Sequence, residues 1–126
     1  MLLDVSHAPL VYIHEEVESP LSFEEQVQQL FEKGQPFVLI THHKDHDHSD
    51  ETPDERREKA LMFKRIKSRL TTFCRGMVVV EGDEPTSGAV RMIATTASKA
   101  FGFAVVFAAD DEDATRQGNL LLSKAP

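Results

Sequence analysis

The chain has 126 residues, enough for one hydrophobic core of ordinary size and too few for two. Apolar residues make up 40% and charged residues 28%, the mixture of a globular chain, and no apolar run approaches the roughly 20 residues of a membrane-spanning helix. Twenty-one acidic against fourteen basic side chains leave a net charge of −7, which argues against non-specific nucleic-acid binding by the surface as a whole.

Taken in chain order, Leu10-Val11-Tyr12-Ile13-His14 is a β-branched and aromatic run that predicts a first strand. Phe23, Val27, Leu30 and Phe31 then recur at helical spacing, Ser22 with Glu25 forms a capping box, and Lys33-Gly34 is a stop signal, so a helix is expected over about 23–33. Residues 36–41 are an apolar run, the mark of a strand buried on both faces and therefore placed centrally. A polar stretch from His42 to Glu51 ends at Thr52-Pro53-Asp54-Glu55, where Thr52 suits the N-cap, Pro53 the first helical position and Glu55 a second capping box. The helix that follows should run to Thr72 or Phe73 and bury Met62, Ile66, Leu70 and Phe73, with Gly76 as its stop.

Residues 77–80 predict another buried strand. A third helix opens at Gly82-Asp83-Glu84-Pro85, carries Val90, Ile93, Ala94, Ala97 and Phe101 on one side, and closes at Gly102. Residues 103–107 predict the last strand. A final helix over about 111–124 should bury Ala114, Leu121 and Leu122, with Gly118 as its weak point. The expected architecture is a single α/β domain spanning residues 1–126, with a four-stranded, mainly parallel sheet and helices packed on it in β-α-β-α-β-α-β-α order.

The runs Gly34-Gln35-Pro36-Phe37-Val38-Leu39-Ile40, Thr52-Pro53-Asp54-Glu55-Arg56-Arg57 and Cys74-Arg75-Gly76-Met77-Val78-Val79-Val80 resemble those of small bacterial STAS-like proteins, related in fold to the SpoIIAA-like anti-sigma-factor antagonists. Val106-Phe107 followed by acidic residues and Ala114 fits the same pattern, so the resemblance runs from about Leu10 to Leu122. It implies a domain that binds another protein or a small ligand and does not catalyse. The best-known members carry a phosphorylatable serine in an Asp-Ser-(Ser/Thr)-Gly-like sequence. Here the corresponding region reads His48-Ser49-Asp50-Glu51-Thr52-Pro53, without a Ser-Gly pair, which leaves Ser49 and Thr52 as the hydroxyls open to modification or partner contact.

Two local constellations stand out. His42, His43, His46 and His48 lie within seven residues, interleaved with Asp45, Asp47 and Asp50; imidazole and carboxylate suit Zn²⁺, Ni²⁺ or Cu²⁺, although nothing in the spacing orients two ligands, and the alternative is a solvated acidic loop. The loop follows a central strand, where open parallel sheets tend to place ligands. The second constellation is the long helix. Eight of the fourteen basic residues fall between positions 54 and 75 against three acidic ones, a local charge of +5 on a remainder of −12. Arg57, Lys64, Arg65 and Lys67 should point outward or sideways there, fit to meet an acidic protein or to orient a homodimer. The lack of interleaved aromatics and of a helix-turn-helix pattern disfavours nucleic acid.

Catalysis has less support. Cys74 closes the basic helix ahead of a buried strand, a setting for a small apolar side chain and not for a thiolate. The six glycines form neither a dinucleotide fingerprint nor a phosphate loop, and Thr86-Ser87-Gly88 reads as helix initiation. No catalytic residue and no cofactor are expected. One cysteine excludes an internal disulfide framework, and an N-terminus without a basic start or long apolar core predicts no secretory leader, so a cytoplasmic location is expected. The leading expectation is a cytoplasmic protein-binding or regulatory module. The alternatives are an immunity or antitoxin protein meeting a basic toxin through its acidic surface, and a metal- or ligand-binding protein using residues 42–51.

Overall fold

A computed structural model describes residues 1–14, 17–42, 52–82, 92 and 102–123. In chain order the elements are β1 (Leu2–Asp4), β2 (Leu10–His14), α1 (Phe23–Glu32), β3 (Phe37–His42), α2 (Pro53–Phe73), β4 (Cys74–Val80), β5 (Ala104–Ala108) and α3 (Asp111–Ser123). The strands form one five-stranded sheet in the order β1-β2-β3-β4-β5, with β1 antiparallel to β2 and the other pairs parallel. The expected four-stranded sheet is thus corrected to a mixed sheet of five. The added strand is Leu2-Leu3-Asp4, too short to show a period of its own and held by pairing with Tyr12, Ile13 and His14. The expected third helix falls largely within residues 83–101, which apart from Met92 lie outside the described residues.

Because the parallel strands follow one another in chain order, right-handed crossovers put their helices on one face. Accordingly α1 and α2 cover the face carrying Val11, Ile13, Phe37 and Leu39, together with Ile66 and Leu70 of α2. Side chains one residue out of step, Leu10, Val38, Ile40, Val78 and Val80, face α3 through Ala114 and Leu121. β3 is the middle strand, and Val38 and Ile40 are fully buried, as its apolar run predicts.

The helix starts follow their caps. Ser22 Oγ accepts from the Glu25 N–H at 3.1 Å and Thr52 Oγ1 from the Glu55 N–H at 3.1 Å. The α3 start is a reciprocal box: the Asp113 N–H donates to Asp110 Oδ1 at 2.8 Å, and Asp113 Oδ2 accepts from the Ala109 N–H at 3.0 Å. Gly76 does not stop α2, which ends at Phe73 and passes straight into β4. Gly76 lies inside that strand next to a register shift, where a Cβ would sit 2.8 Å from Leu121 Cδ1 and 2.9 Å from the Ala104 carbonyl oxygen. Gly118 serves the same approach from the helix side: its Cβ would come within 2.7 Å of Leu10 Cδ2. Two glycines therefore set how closely α3 lies on the sheet. No helix among the described residues is long and apolar enough to cross a membrane.

Candidate functional site

α2 is the longest element and the one least used for packing. Its 21 residues measure about 31 Å, against about 23 Å for the seven-residue β4 that it feeds. Only Ile66 and Leu70 are buried; Met62, Phe63 and Phe73 are partly buried against the same core. From Pro53 to Leu61 every side chain is exposed except the half-buried Lys59. With the Ile66–Leu70 stripe turned to the sheet, the 3.6-residue period places Arg57, Leu61, Lys64 and Ser68 in a line on the opposite side. Leu61 in that line is 47% exposed.

The flanks of α2 are different. Arg65 faces α1: its Nη2 donates to Glu24 Oε1 at 2.6 Å and its Nε to Glu24 Oε2 at 3.2 Å, and one turn on Arg69 Nη1 donates to Gln28 Oε1 at 3.2 Å. The guanidinium holds the Glu24 carboxyl below the ordinary carboxylate range. Arg65, expected to meet a partner, forms an intramolecular clamp between the two helices. Arg57, Lys64 and Lys67 are exposed and make no salt bridge with any described residue. Thr52 is the α2 N-cap. Ser49 lies outside the described residues.

Of the expected metal ligands, His43, His46 and His48 also lie outside the described residues; His42 ends β3. Its Nε2 is 2.9 Å from Asp111 Oδ1, at the start of α3. On the neighbouring strand His14 Nε2 is 3.6 Å from Asp4 Oδ2. Both histidines occupy the C-terminal edge of the parallel strands on the α3 face. His14 and Asp4 escape a reading of the sequence, because a histidine closing an amphipathic strand carries no signal until strand pairing is known. Among the described residues no three His, Cys, Asp or Glu side chains are gathered closely enough to hold a metal ion. Among the described residues the strand order also runs in one direction without reversing, which gives no switch point of the kind at which open α/β sheets form a ligand crevice.

Cys74 is buried, and its thiol donates to the Gly76 carbonyl at 3.3 Å. Burial pushes its pKa from 9.0 up to about 12, which suits the packing role read from the sequence. An open groove of about 370 Å³ lies at the other end of the sheet, lined by Pro9, Leu30, Lys33, Pro36, Phe37 and Leu122 among others. Among the described residues that line it, Lys33 is the one charged side chain, and the groove lies apart from the histidine edge. No protein-family model, curated protein or solved structure matches this chain.

Proposed function

We propose that the protein is a non-catalytic binding module of the STAS-like kind, and that the outward side of α2 is its recognition surface for an acidic protein. The observation that carries this reading is the exposed N-terminal half of α2. A helix of about a dozen residues is marginal when it buries nothing, yet this one extends for more than two turns beyond its packed portion. Its outward line sets one apolar side chain, Leu61, between the cations Arg57 and Lys64, an arrangement suited to a partner carrying carboxylates around an apolar contact. A protein is favoured over nucleic acid because that line holds no aromatic ring for base stacking. A symmetric dimer through α2 is disfavoured, since it would set two +5 segments against each other.

The test is affinity capture from cell extract by the wild type and by an Arg57→Glu/Lys64→Glu/Lys67→Glu variant. Arg65 is left intact because it braces α1. The variant should melt within a few degrees of wild type, since exposed substitutions usually stay within about 0.5 kcal/mol each. Support would be an acidic protein that is held by the wild type, is lost from the variant and dissociates faster as salt rises. Equal capture by both chains would place the interface elsewhere.

A further inference from the structure

We propose that His14 and His42 form a two-imidazole site for a borderline divalent cation of the Zn²⁺ class at the C-terminal edge of the parallel sheet. The register sets Tyr12 opposite Ile40 on adjacent parallel strands, and each strand carries a histidine two residues further on, on the α3 face. Adjacent strands lie about 4.8 Å apart, a spacing from which two imidazoles reach one ion at about 2.0–2.1 Å each. Both side chains are open to solvent, 33% and 34% exposed.

The second observation concerns the far side of each ring. The nitrogen facing a carboxylate is Nε2 in both cases, toward Asp4 in His14 and toward Asp111 in His42. At 2.9 Å the Asp111 carboxylate is placed to hold a proton on His42 Nε2 and leave that ring's Nδ1 lone pair for a metal, while Asp4, at 3.6 Å, lies beyond hydrogen-bond reach of His14 and orients its ring by charge alone. In His42 the contact also fixes the ring's tautomer, the outer-shell arrangement common behind ligating histidines. Two protein nitrogens with water in the remaining positions make a site without a third side chain, in keeping with the absence of a larger cluster among the described residues. Nitrogen donors select Zn²⁺ or Ni²⁺ over Mg²⁺ and Ca²⁺, which take oxygen. This site shares only His42 with the histidine-rich run of the sequence and does not depend on the loop.

The decisive experiment is calorimetric titration of the full chain, free of any polyhistidine tag, with Zn²⁺. A His43→Ala/His46→Ala/His48→Ala background removes the other imidazoles of the run. That background should keep saturable one-to-one binding. Adding His14→Ala or His42→Ala should weaken it at least about tenfold, and Asp111→Asn roughly 10–100-fold. Mg²⁺ should give no binding heat. In imidazole ¹H–¹⁵N spectra of the wild type, which do not depend on the variants folding, Zn²⁺ should move the His14 and His42 Nδ1 resonances together. Binding that vanishes with the loop histidines, binding that survives His14→Ala, or a His14 ring unmoved by Zn²⁺ overturns the proposal.

Discussion

Gln26 shows how one polar side chain closes a sheet. It is buried, at 7% exposure, on the face of α1 that meets β1. Its Oε1 accepts from the Leu3 N–H at 2.7 Å and its Nε2 donates to the Met1 carbonyl at 3.0 Å, so the side-chain amide pairs β1 as a further strand would. The same Nε2 also reaches the Leu21 carbonyl at 3.2 Å, tying in the turn before α1. An edge strand with open backbone groups is a template for unwanted pairing, and Gln26 closes it from within. Gln26→Leu keeps the volume and removes all of these hydrogen bonds, which should cost about 1–3 kcal/mol. Amide exchange should localise the effect: Leu3 should lose its protection while β3 keeps it. Unchanged exchange at Leu3 would mean that pairing with β2 alone holds the strand.

Among the elements, α3 is set by close approach and α2 by its ends. Gly118 disfavours a helix by roughly 1 kcal/mol relative to Ala, and it sits in one. The close contact with Leu10 explains why. Gly118→Val should destabilise the protein by about 1–3 kcal/mol through overpacking. Combined with Leu10→Ala it should destabilise by less than the two separate losses together, because the smaller residue makes room for the new side chain. Additive melting shifts in that double-mutant cycle would show that α3 is not seated on Leu10. In α2 the unpacked half rests on the Thr52 cap, on Pro53 at the first position and on Asp54 and Glu55 in the first turn, where carboxylates favour the positive end of the helix dipole. The packed half supplies Ile66 and Leu70. The division leaves the N-terminal half of the helix exposed without loosening the core.

Over the whole molecule, charge is distributed unevenly and partly spent on internal links. Arg65 binds Glu24 across two helices, and Arg116 binds Asp113 between the first two turns of α3. Each guanidinium holds its carboxyl below the ordinary value, 4.5 for Glu24 and 3.8 for Asp113. Carboxylates with lowered folded-state pKa values stabilise the fold above their unfolded values and lose that contribution as pH falls through the folded ones. The melting temperature should therefore hold down to about pH 4.5 and decline below it, where these two carboxylates take up protons. Both carboxylates remain in contact with solvent, so the decline should be shallow and should flatten further in high salt. Glu24→Gln should remove part of the slope. A melting temperature that rises on acidification below pH 4.5 would contradict the assignment.

Local signals in the sequence were enough to determine most of the described elements of this protein. Capping boxes at Ser22 and Thr52, the apolar run at Phe37–Ile40 and the helical periodicities all act over a few residues, so they survive without knowledge of the fold. The net charge and the basic character of α2 are likewise properties of composition. What required the tertiary structure depends on pairing between distant positions. β1 exists because Leu2–Asp4 can pair with β2 and because Gln26 closes its open edge. Arg65 ceases to be a free cation because α1 brings Glu24 to it across 41 residues of sequence. Gly76 and Gly118, ambiguous as stop and weak point, become close-approach sites once α3 is laid on the sheet. His14 comes to stand on the strand beside His42 only through the parallel register of β2 and β3, because register sets the neighbours and face of every strand side chain and no local pattern encodes which strands meet.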